Sequence, residues 1–539
     1  MIFAELSFAV NPMTNAKESF FMPLKIAMIG AGSIGFTRRL MGDLLTVPEF
    51  AETTFAFTDL NQNNLDMIRQ LAERDIAGNN LPAKIEAATD RRAAIADADY
   101  VMCMIRQGGL EGFQTDIDIP LKYGIDQCVG DTICAGGIMY AQRGIAALLD
   151  FCKDIREVAK PGATFLNYSN PMAMLTWACN AYGGVKTIGL CHGVQGAEHQ
   201  IAQCVQHWAR EQQIIGREEK VHRKEISFVF SGINHQTWCL QAKWREYDLI
   251  PRMLDLFQGH PTYPTTEKVR IDVLKRFGYY STESNGHFSE YVPWYRKRLD
   301  DINKWIDLSS WINGETGGYL RVCTEGRNWF KTDFPNWMKE EPPKFLPEKR
   351  SDEHGSYIIE ALETGRTYRG HFNVPNTGII DNLPADAIVE SLGFIDKNGV
   401  HMAHIGDIPL ACAATCNVSV NVQRMGMESG VKGDVTLLKQ AMLHDPLVGA
   451  VCDPEEVWQM TDEMLTAQAQ WLPQYTNQIP AAQARLEKAI ADGTRVKTME
   501  GFQGMARLHT KTIEEMQAAA EESRANAQAA DKGKMTQNA

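Results

Sequence analysis

Long hydrophobic runs are missing from this 539-residue sequence: nothing approaches the roughly 18 apolar residues that a membrane-spanning helix requires. Positive charge is scarce as well. Against 54 Lys and Arg stand 67 Asp and Glu, a formal net charge of −13, which argues against nucleic acid or an anionic membrane as the main partner. The opening stretch, MIFAELSFAVNPMTNAKESFFMPLKIAMIG, lacks the basic segment and clean apolar core of a secretion signal. Met22 is a candidate natural start, and residues 1–22 read as an N-terminal extension. Paired cysteine motifs are absent too. The twelve cysteines are scattered, with Cys103, Cys152, Cys179 and Cys239 in apolar stretches, and Cys412 and Cys416 have no second pair to complete a zinc knuckle. Reduced thiols of this kind point to a cytoplasmic protein. No internal repeat is visible.

What is present is a folded chain of ordinary composition, 44% apolar and 22% charged. Its length predicts two large domains, or one domain with big insertions. LKIAMIGAGSIGF (24–36) gives a short apolar strand and then Gly30-Ala31-Gly32-Ser33-Ile34-Gly35. Phe36, Leu40, Leu44 and Val47 follow at helical spacing, as in the crossover helix of a βαβ unit. In such a unit Gly30 permits the tight turn, Gly32 lets backbone amides approach a pyrophosphate, and Gly35 lets helix and strand pack closely. A second strand, TTFAFTDL, ends in Asp59, where a carboxylate accepts from a ribose 2′-hydroxyl and disfavours a 2′-phosphate. The cofactor expected is therefore NAD.

Further strands are predicted over 100–105, 164–168 and 187–190, each leading into a polar loop. Repeated βα units of this kind describe an α/β fold, a Rossmann-type doubly wound parallel sheet, with ligands outside the strand carboxyl ends. Three such ends carry chemistry. NYSNP places Asn170 past one, GLCHGVQG places Cys191 and His192 past another, and ISFVFSGINHQTW places His235 past a third. A thiolate and an imidazole at converging ends suit a divalent transition metal, manganese, iron, cobalt, nickel or zinc, and spacing alone does not choose among them.

The stretches IGAGSIGF, GGIM, LNYSNPMAMLTWA, GLCHGVQG, GINH, GYYSTESNGHFSEYVPWY, GIIDNLP and DPLVGAV with the later WLP together cover residues 24 to about 473. In that order they resemble glycoside hydrolase family 4, the NAD- and metal-dependent glycosidases, most closely its melibiase (α-galactosidase) branch. The resemblance implies a lactate/malate dehydrogenase-like architecture. Residues 23–195 would form the NAD-binding Rossmann domain, and 196–473 a second α+β domain for substrate, metal and oligomerisation. It further implies a homodimer or homotetramer, a small glycoside as substrate, and a divalent cation, Mn2+ being the expected one. Cys191 and His235 would be the metal ligands. Asn170, Asp131, Arg143, Glu283 and His287 would contact the sugar. Tyr279, one residue from Tyr280, would be the base at C2, and His192 the acid for the leaving group; Glu290 and Tyr291 have a weaker case. The implied chemistry is oxidation at C3, removal of the now acidic C2 proton, elimination of the aglycone, addition of water and return of the hydride. It departs from the two-carboxylate scheme of most glycosidases.

Two departures from the family pattern bear on the sugar. Gly193 stands where melibiases usually carry serine, and Tyr140 stands where an arginine is usual, while Arg143 is retained and Arg106 adds a cation. An α-glucuronidase or α-galacturonidase is therefore the alternative within the family, since a uronate would want Arg106 or Arg143 as a bidentate partner. Outside it, a 2-hydroxy-acid dehydrogenase shares the dinucleotide signature but has no use for a thiolate ligand. Residues 474–539, rich in Ala, Gln, Glu and Lys, predict one or two surface helices and then a disordered end.

Overall fold

The computed structural model describes residues 23–309, 314–496, 498, 506–519 and 521–522. Strands β1 (Lys25–Ile29), β2 (Thr54–Thr58), β3 (Lys84–Ala87), β4 (Tyr100–Cys103), β5 (Thr164–Asn167) and β6 (Thr187–Gly189) are all parallel. Their order is β3-β2-β1-β4-β5-β6, the strand order of a dinucleotide-binding sheet. The period-2 pattern explains how both faces are buried. Along β1, Ile26 and Met28 join one apolar core with Phe55 and Phe57, while Ala27 and Ile29 join the other with Val101 and Phe165. Each large side chain so buried contributes about 1.5–3 kcal/mol relative to exposure.

The sheet does not stop at β6. Strand β10 (Tyr368–Pro375) adds to it antiparallel, pairing Asn373 with Gly189. Next come β11 (Ile388–Asp396), β7 (Ile226–Ile233), β8 (Gln236–Trp244) and β9 (Tyr247–Asp248), all antiparallel, with β12 (Gly399–Met402) also on β11. One twelve-stranded sheet thus carries the parallel dinucleotide-type half and a second, antiparallel half. The joint between them lies beside Cys191, which follows β6 directly.

Six helices matter for the site: α1 (Ile34–Leu44), α2 (Cys134–Val158), α3 (Gly193–Glu211), α4 (Asn285–Tyr291), α5 (His354–Thr364) and α6 (Leu410–Lys432). Beyond residue 473, Tyr475 is buried and its hydroxyl donates to Gln142 of α2 (2.7 Å). A helix over Ile479–Ala491 then lies at the surface, with Ala482 its buried residue. The expected disordered end, like residues 1–22, lies outside the described residues. Among the described residues no helix is long and apolar enough to cross a membrane.

Candidate active site

A cleft of about 2320 Å³ runs along the carboxyl ends of the parallel strands, from Asp59 and Gly30 past Arg106 to Asn170 and His192. Single small-molecule sites occupy roughly 300–1,000 Å³, so there is room for a dinucleotide and a second ligand. At its first end Gly30 has φ +86, and a Cβ there would lie 2.8 Å from the Met104 carbonyl oxygen. Only glycine fits. Gly32 donates its N–H to Asp59 Oδ2 (2.8 Å), and a Cβ on Gly32 would come within 2.6 Å of that oxygen. Asp59 Oδ1 accepts from Asn61 N–H (2.8 Å), so the carboxylate is oriented by backbone while still lining the cleft. Gly35 differs from its expected reason. A Cβ there meets nothing within 4 Å, yet the residue lines the cleft beside Ser33. Its smallness leaves space for a ligand and does nothing for helix–strand packing.

At the far end, loops from both halves of the sheet meet. Cys191, His235 and Glu283 each offer a ligand atom, all within 4.8 Å of one another; Asp131, His235 and His287 do the same. His235 arrives by an unexpected route. It is the second residue of the two-residue turn joining the antiparallel strands β7 and β8, in the left-handed region at φ +65, a conformation costly for a non-glycine residue and typical of functional positions. Its Nδ1 lies 2.7 Å from Thr132 Oγ1 and 3.0 Å from the Tyr291 hydroxyl, and its Nε2 lies 3.5 Å from Glu283. Asn170 Nδ2 donates to Asp131 Oδ2 (2.9 Å). His287 reaches Asp131 (3.3 Å) through Nε2 and Glu283 (3.4 Å) through Nδ1.

Two buried carboxylates hold the loop that carries Asp131 and Thr132. Glu290 accepts from the backbone N–H groups of Cys128 (2.7 Å), Val129 (3.2 Å) and Gly130 (2.9 Å). Asp445, from the DPLVGAV stretch, accepts from Cys134 N–H (2.8 Å) at the start of α2. On the other side, residues 280–282 line up along β8, where Cys239 N–H donates to the Tyr280 carbonyl and Ser281 bridges Trp238. The chain then caps α4 with Ser284, whose hydroxyl accepts from His287 N–H (3.3 Å). His287 and Tyr291, four residues apart on α4, therefore face the cluster together, and Glu283, just before the cap, joins them there.

The electrostatics follow from burial and crowding. Burial would raise the Asp131 and Glu283 pKa values. The neighbouring imidazoles prevail, holding Asp131 well below its ordinary range and bringing Glu283 to about 2. Burial would depress His287, but Glu283 and Asp131 raise it to about 10. Desolvation lowers His235. Burial, then Glu390 and Glu283, push the Cys191 thiol up, and burial with Glu283 and Asp131 does the same to the Tyr291 phenol. A soft thiol, an imidazole and a carboxylate converge, and the surrounding negative charge disfavours anionic sulfur. This donor set fits a divalent cation, which would reverse that penalty.

Most of the expected site residues are thus brought together: Cys191, His235, Asn170, Asp131, Glu283 and His287 at the cluster, with His192 beside it in the cleft wall. Two are not. Arg143, expected at the sugar, is fully buried and bidentate to Asp116 (2.9 and 2.5 Å), and it also donates to Gln468 and to the Gln107 carbonyl. It lines the cleft, with Nε and both Nη atoms engaged by the scaffold. Tyr279 packs half-buried against the apolar core, and Tyr280 stacks on Phe257 with its hydroxyl on Gln200 (3.0 Å). The tyrosine that touches the cluster is Tyr291, and its i+4 spacing from His287 was the available signal. Thr132 carried no sequence signal. Arg106 is half-buried among the rings of Phe113, Tyr140 and Tyr319, its Nη1 buried and lacking a hydrogen-bond partner. Tyr140, in the place of an arginine, supplies one wall of that cage.

A dinucleotide crevice that opens onto a thiol, imidazole and carboxylate cluster at the joint of two half-sheets defines an enzyme built on the dinucleotide fold. The sequence comparisons make the class particular: the chain belongs to the family 4 glycosyl hydrolases. Residues 25–207 match the model of that family, and residues 230–448 match that of its C-terminal domain. The chain is similar to an alpha-galactosidase of Rhizobium meliloti (strain 1021), 56% identical over 92% of this chain and 97% of that one. It is also similar to an alpha-galactosidase of Bacillus subtilis (strain 168), at 34% over 84% and 99%. Its fold matches the 6-phospho-beta glucosidase of Thermotoga maritima solved with manganese, NAD+ and glucose-6-phosphate, with a TM-score of 0.65 and 21% identity over 83% of this chain and 98% of that one.

Proposed function

We propose that this glycosidase is an NAD- and divalent-metal-dependent α-galactosidase. The observation that carries the reading is the convergence of Cys191, His235 and Glu283 within 4.8 Å at the end of a cleft that begins at Gly30 and Asp59. The similarity to alpha-galactosidases supports the choice of sugar. Residues 23–195 would hold the nucleotide, through Gly30, Gly32, Ser33, Gly35 and Asp59, and both this segment and residues 196–473 would supply groups around the sugar. When bound, NAD accepts and returns a hydride, and a cation such as Mn2+ held by Cys191 and His235 with Glu283 supplies positive charge beside the sugar oxygens.

The chain's own groups then have assignable tasks. Asn170, Asp131 and His287 hold sugar hydroxyls. The Thr132 hydroxyl donates to Asp131 (2.9 Å), so it accepts from His235 Nδ1–H. That fixes the tautomer with Nε2 free as a ligand. The Tyr291 oxygen lies 3.0 Å from the same nitrogen. Burial and the neighbouring carboxylates keep its phenol protonated; a cation bound at the cluster would favour the phenolate, and Tyr291 is then the base that takes the C2 proton. His192 protonates the departing glycosidic oxygen.

A second reading, α-galacturonidase activity, is favoured by one observation: half-buried Arg106 lines the cleft with its Nη1 unpartnered, and a C6 carboxylate would satisfy it. The test is a panel of p-nitrophenyl α-galactoside, α-glucoside, α-glucuronide and α-galacturonide with NAD, Mn2+ and a reductant. We expect cleavage of the galactoside without net NADH; preference for a uronide overturns the choice of sugar, and steady NADH release overturns the glycosidase cycle. The free thiols favour a cytoplasmic setting. Assembly as a homodimer or homotetramer is checked by light scattering.

A further inference from the structure

His192 is half-exposed to the cleft, yet its ring is held on three sides. Its Nε2 lies 2.6 Å from Glu353 Oε2, and the Glu353 side chain is only 5% exposed. Tyr168, which follows β5, stacks on the imidazole at 6.2 Å between centroids, and Phe36 of α1 meets it edge-on at 6.0 Å. These walls brace one another. Glu353 is the residue that opens α5, and two positions later Gly355 N–H donates to the Tyr168 hydroxyl (2.8 Å). Glu353 N–H donates to Ser351 Oγ (3.3 Å), and Ser351 N–H donates to Asp43 Oδ1 (2.8 Å) on α1. Arg39, also on α1, lies 3.6 Å from the second carboxylate oxygen. The other ring nitrogen, Nδ1, has no hydrogen bond among the described residues.

We propose that Glu353 is the positioning residue for His192. Its carboxylate accepts Nε2–H and so presents Nδ1 to the cleft, as the buried acid of a catalytic triad orients its histidine. The inference rests on the α-glycosidase reading and adds a partner to its acid. The proton balance closes. As the C1–O bond breaks, the aglycone oxygen keeps the bonding pair and takes the Nδ1 proton of the His192 imidazolium, leaving the neutral Nε2–H tautomer, while Tyr291 holds the proton removed from C2. Water then adds its oxygen to C1 and gives a proton back to Nδ1, and Tyr291 returns its own to C2. Glu353 keeps the Nε2 hydrogen bond throughout. Arg39, Phe36 and Asp43 all lie on α1, whose first turn lines the dinucleotide end of the cleft, so one helix braces both nucleotide and acid.

Glu353→Gln tests this with two aglycones. On methyl α-galactoside, whose alkoxide needs a proton to leave, kcat/KM should fall by on the order of 10²-fold. On p-nitrophenyl α-galactoside, whose phenolate leaves unaided, it should change little, which also shows that the variant folds. Methyl α-galactoside recovered from D2O should carry deuterium at C2 with the variant far more than with the wild type, because C2 proton removal continues while departure stalls. Equal losses on both substrates with no C2 exchange overturn the proposal. Nitrogen-15 NMR of histidine-labelled protein gives a readout free of turnover: at alkaline pH, where the ring is neutral, His192 should be the Nε2–H tautomer in the wild type and a mixture in the variant. An unchanged His192 signal overturns the contact. If the wild type cleaves no α-galactoside, the functional reading fails, and the NMR result still decides the role of Glu353.

Discussion

Thr132 Oγ1 sits 2.7 Å from Nδ1 of His235, across 103 residues of sequence, and donates its own proton to Asp131. Because a hydroxyl has one proton, the imidazole must donate to it, and Nε2 is left free to ligate the proposed cation. Thr132→Val keeps the shape and removes the acceptor. Manganese affinity, measured by calorimetric titration, should weaken by about 10–100-fold, in line with the loss of an outer partner of a metal-binding histidine. An unchanged affinity would show that Tyr291 alone holds the tautomer.

Tyr291 and Tyr279 separate cleanly by experiment. Tyr291→Phe removes the hydroxyl 3.0 Å from His235 and should lower kcat by roughly 10²–10⁴-fold, the usual worth of a general base, and abolish exchange of the C2 hydrogen with D2O. Tyr279→Phe should leave both near wild type. The reverse pattern would return the base to Tyr279.

Arg143 is tied into the scaffold through Asp116, and the consequence is measurable as stability. Arg143→Met leaves Asp116 buried and uncompensated. Breaking a buried ion pair by removing one partner costs about 3–5 kcal/mol, which should appear as a lower denaturant midpoint. The Tyr140 ring beside it carries no charge to substitute. If stability holds and KM for the galactoside rises steeply, Arg143 binds sugar after all.

The nucleotide half was legible because its signals are local: a glycine turn, a helix at the right spacing and an acid after the next strand all lie between Gly30 and Asp59. Cys191 and His235 were legible for a related reason, since each follows an apolar run that reads as a strand. What escaped was set by tertiary placement. Whether Tyr279, Tyr280 or Tyr291 faces the cluster depends on a segment that lies along β8 at Tyr280–Thr282 and then turns helical at Asn285, which changes the side-chain period from 2 to 3.6 within five residues. Glu353 meets His192 from 161 residues away, and no pattern in one sequence marks such a pair. Arg143 showed the opposite failure. Its charge suggested a ligand, and only burial beside Asp116 shows it occupied.

Gly193 tests how much room the cluster leaves. A Cβ there would lie 3.4 Å from Glu283 Oε2 and 3.6 Å from Cys191 Sγ, which are ordinary contacts. Gly193→Ser should therefore fold normally and place a hydroxyl over the sugar. One added hydrogen bond worth about 1 kcal/mol would lower KM for the galactoside by about fivefold. A fall of several degrees in the melting temperature would mean the cluster is tighter than the backbone indicates.

Gly30 and Gly35 should respond to alanine in opposite ways. At Gly30 the left-handed φ and the Met104 carbonyl 2.8 Å from a new Cβ make Gly30→Ala destabilising in the protein without cofactor. At Gly35 a Cβ meets only open cleft, and the position lies in the first turn of α1, where alanine is favoured over glycine by roughly 0.5–1 kcal/mol. Gly35→Ala should therefore melt at or slightly above the wild-type temperature without NAD and lose the extra stabilisation that NAD confers on the wild type. Thermal scans with and without NAD separate the two. If Gly35→Ala lowers the melting temperature in the absence of NAD, the glycine serves helix–strand packing; if NAD still raises it fully, the pyrophosphate does not pass over Gly35.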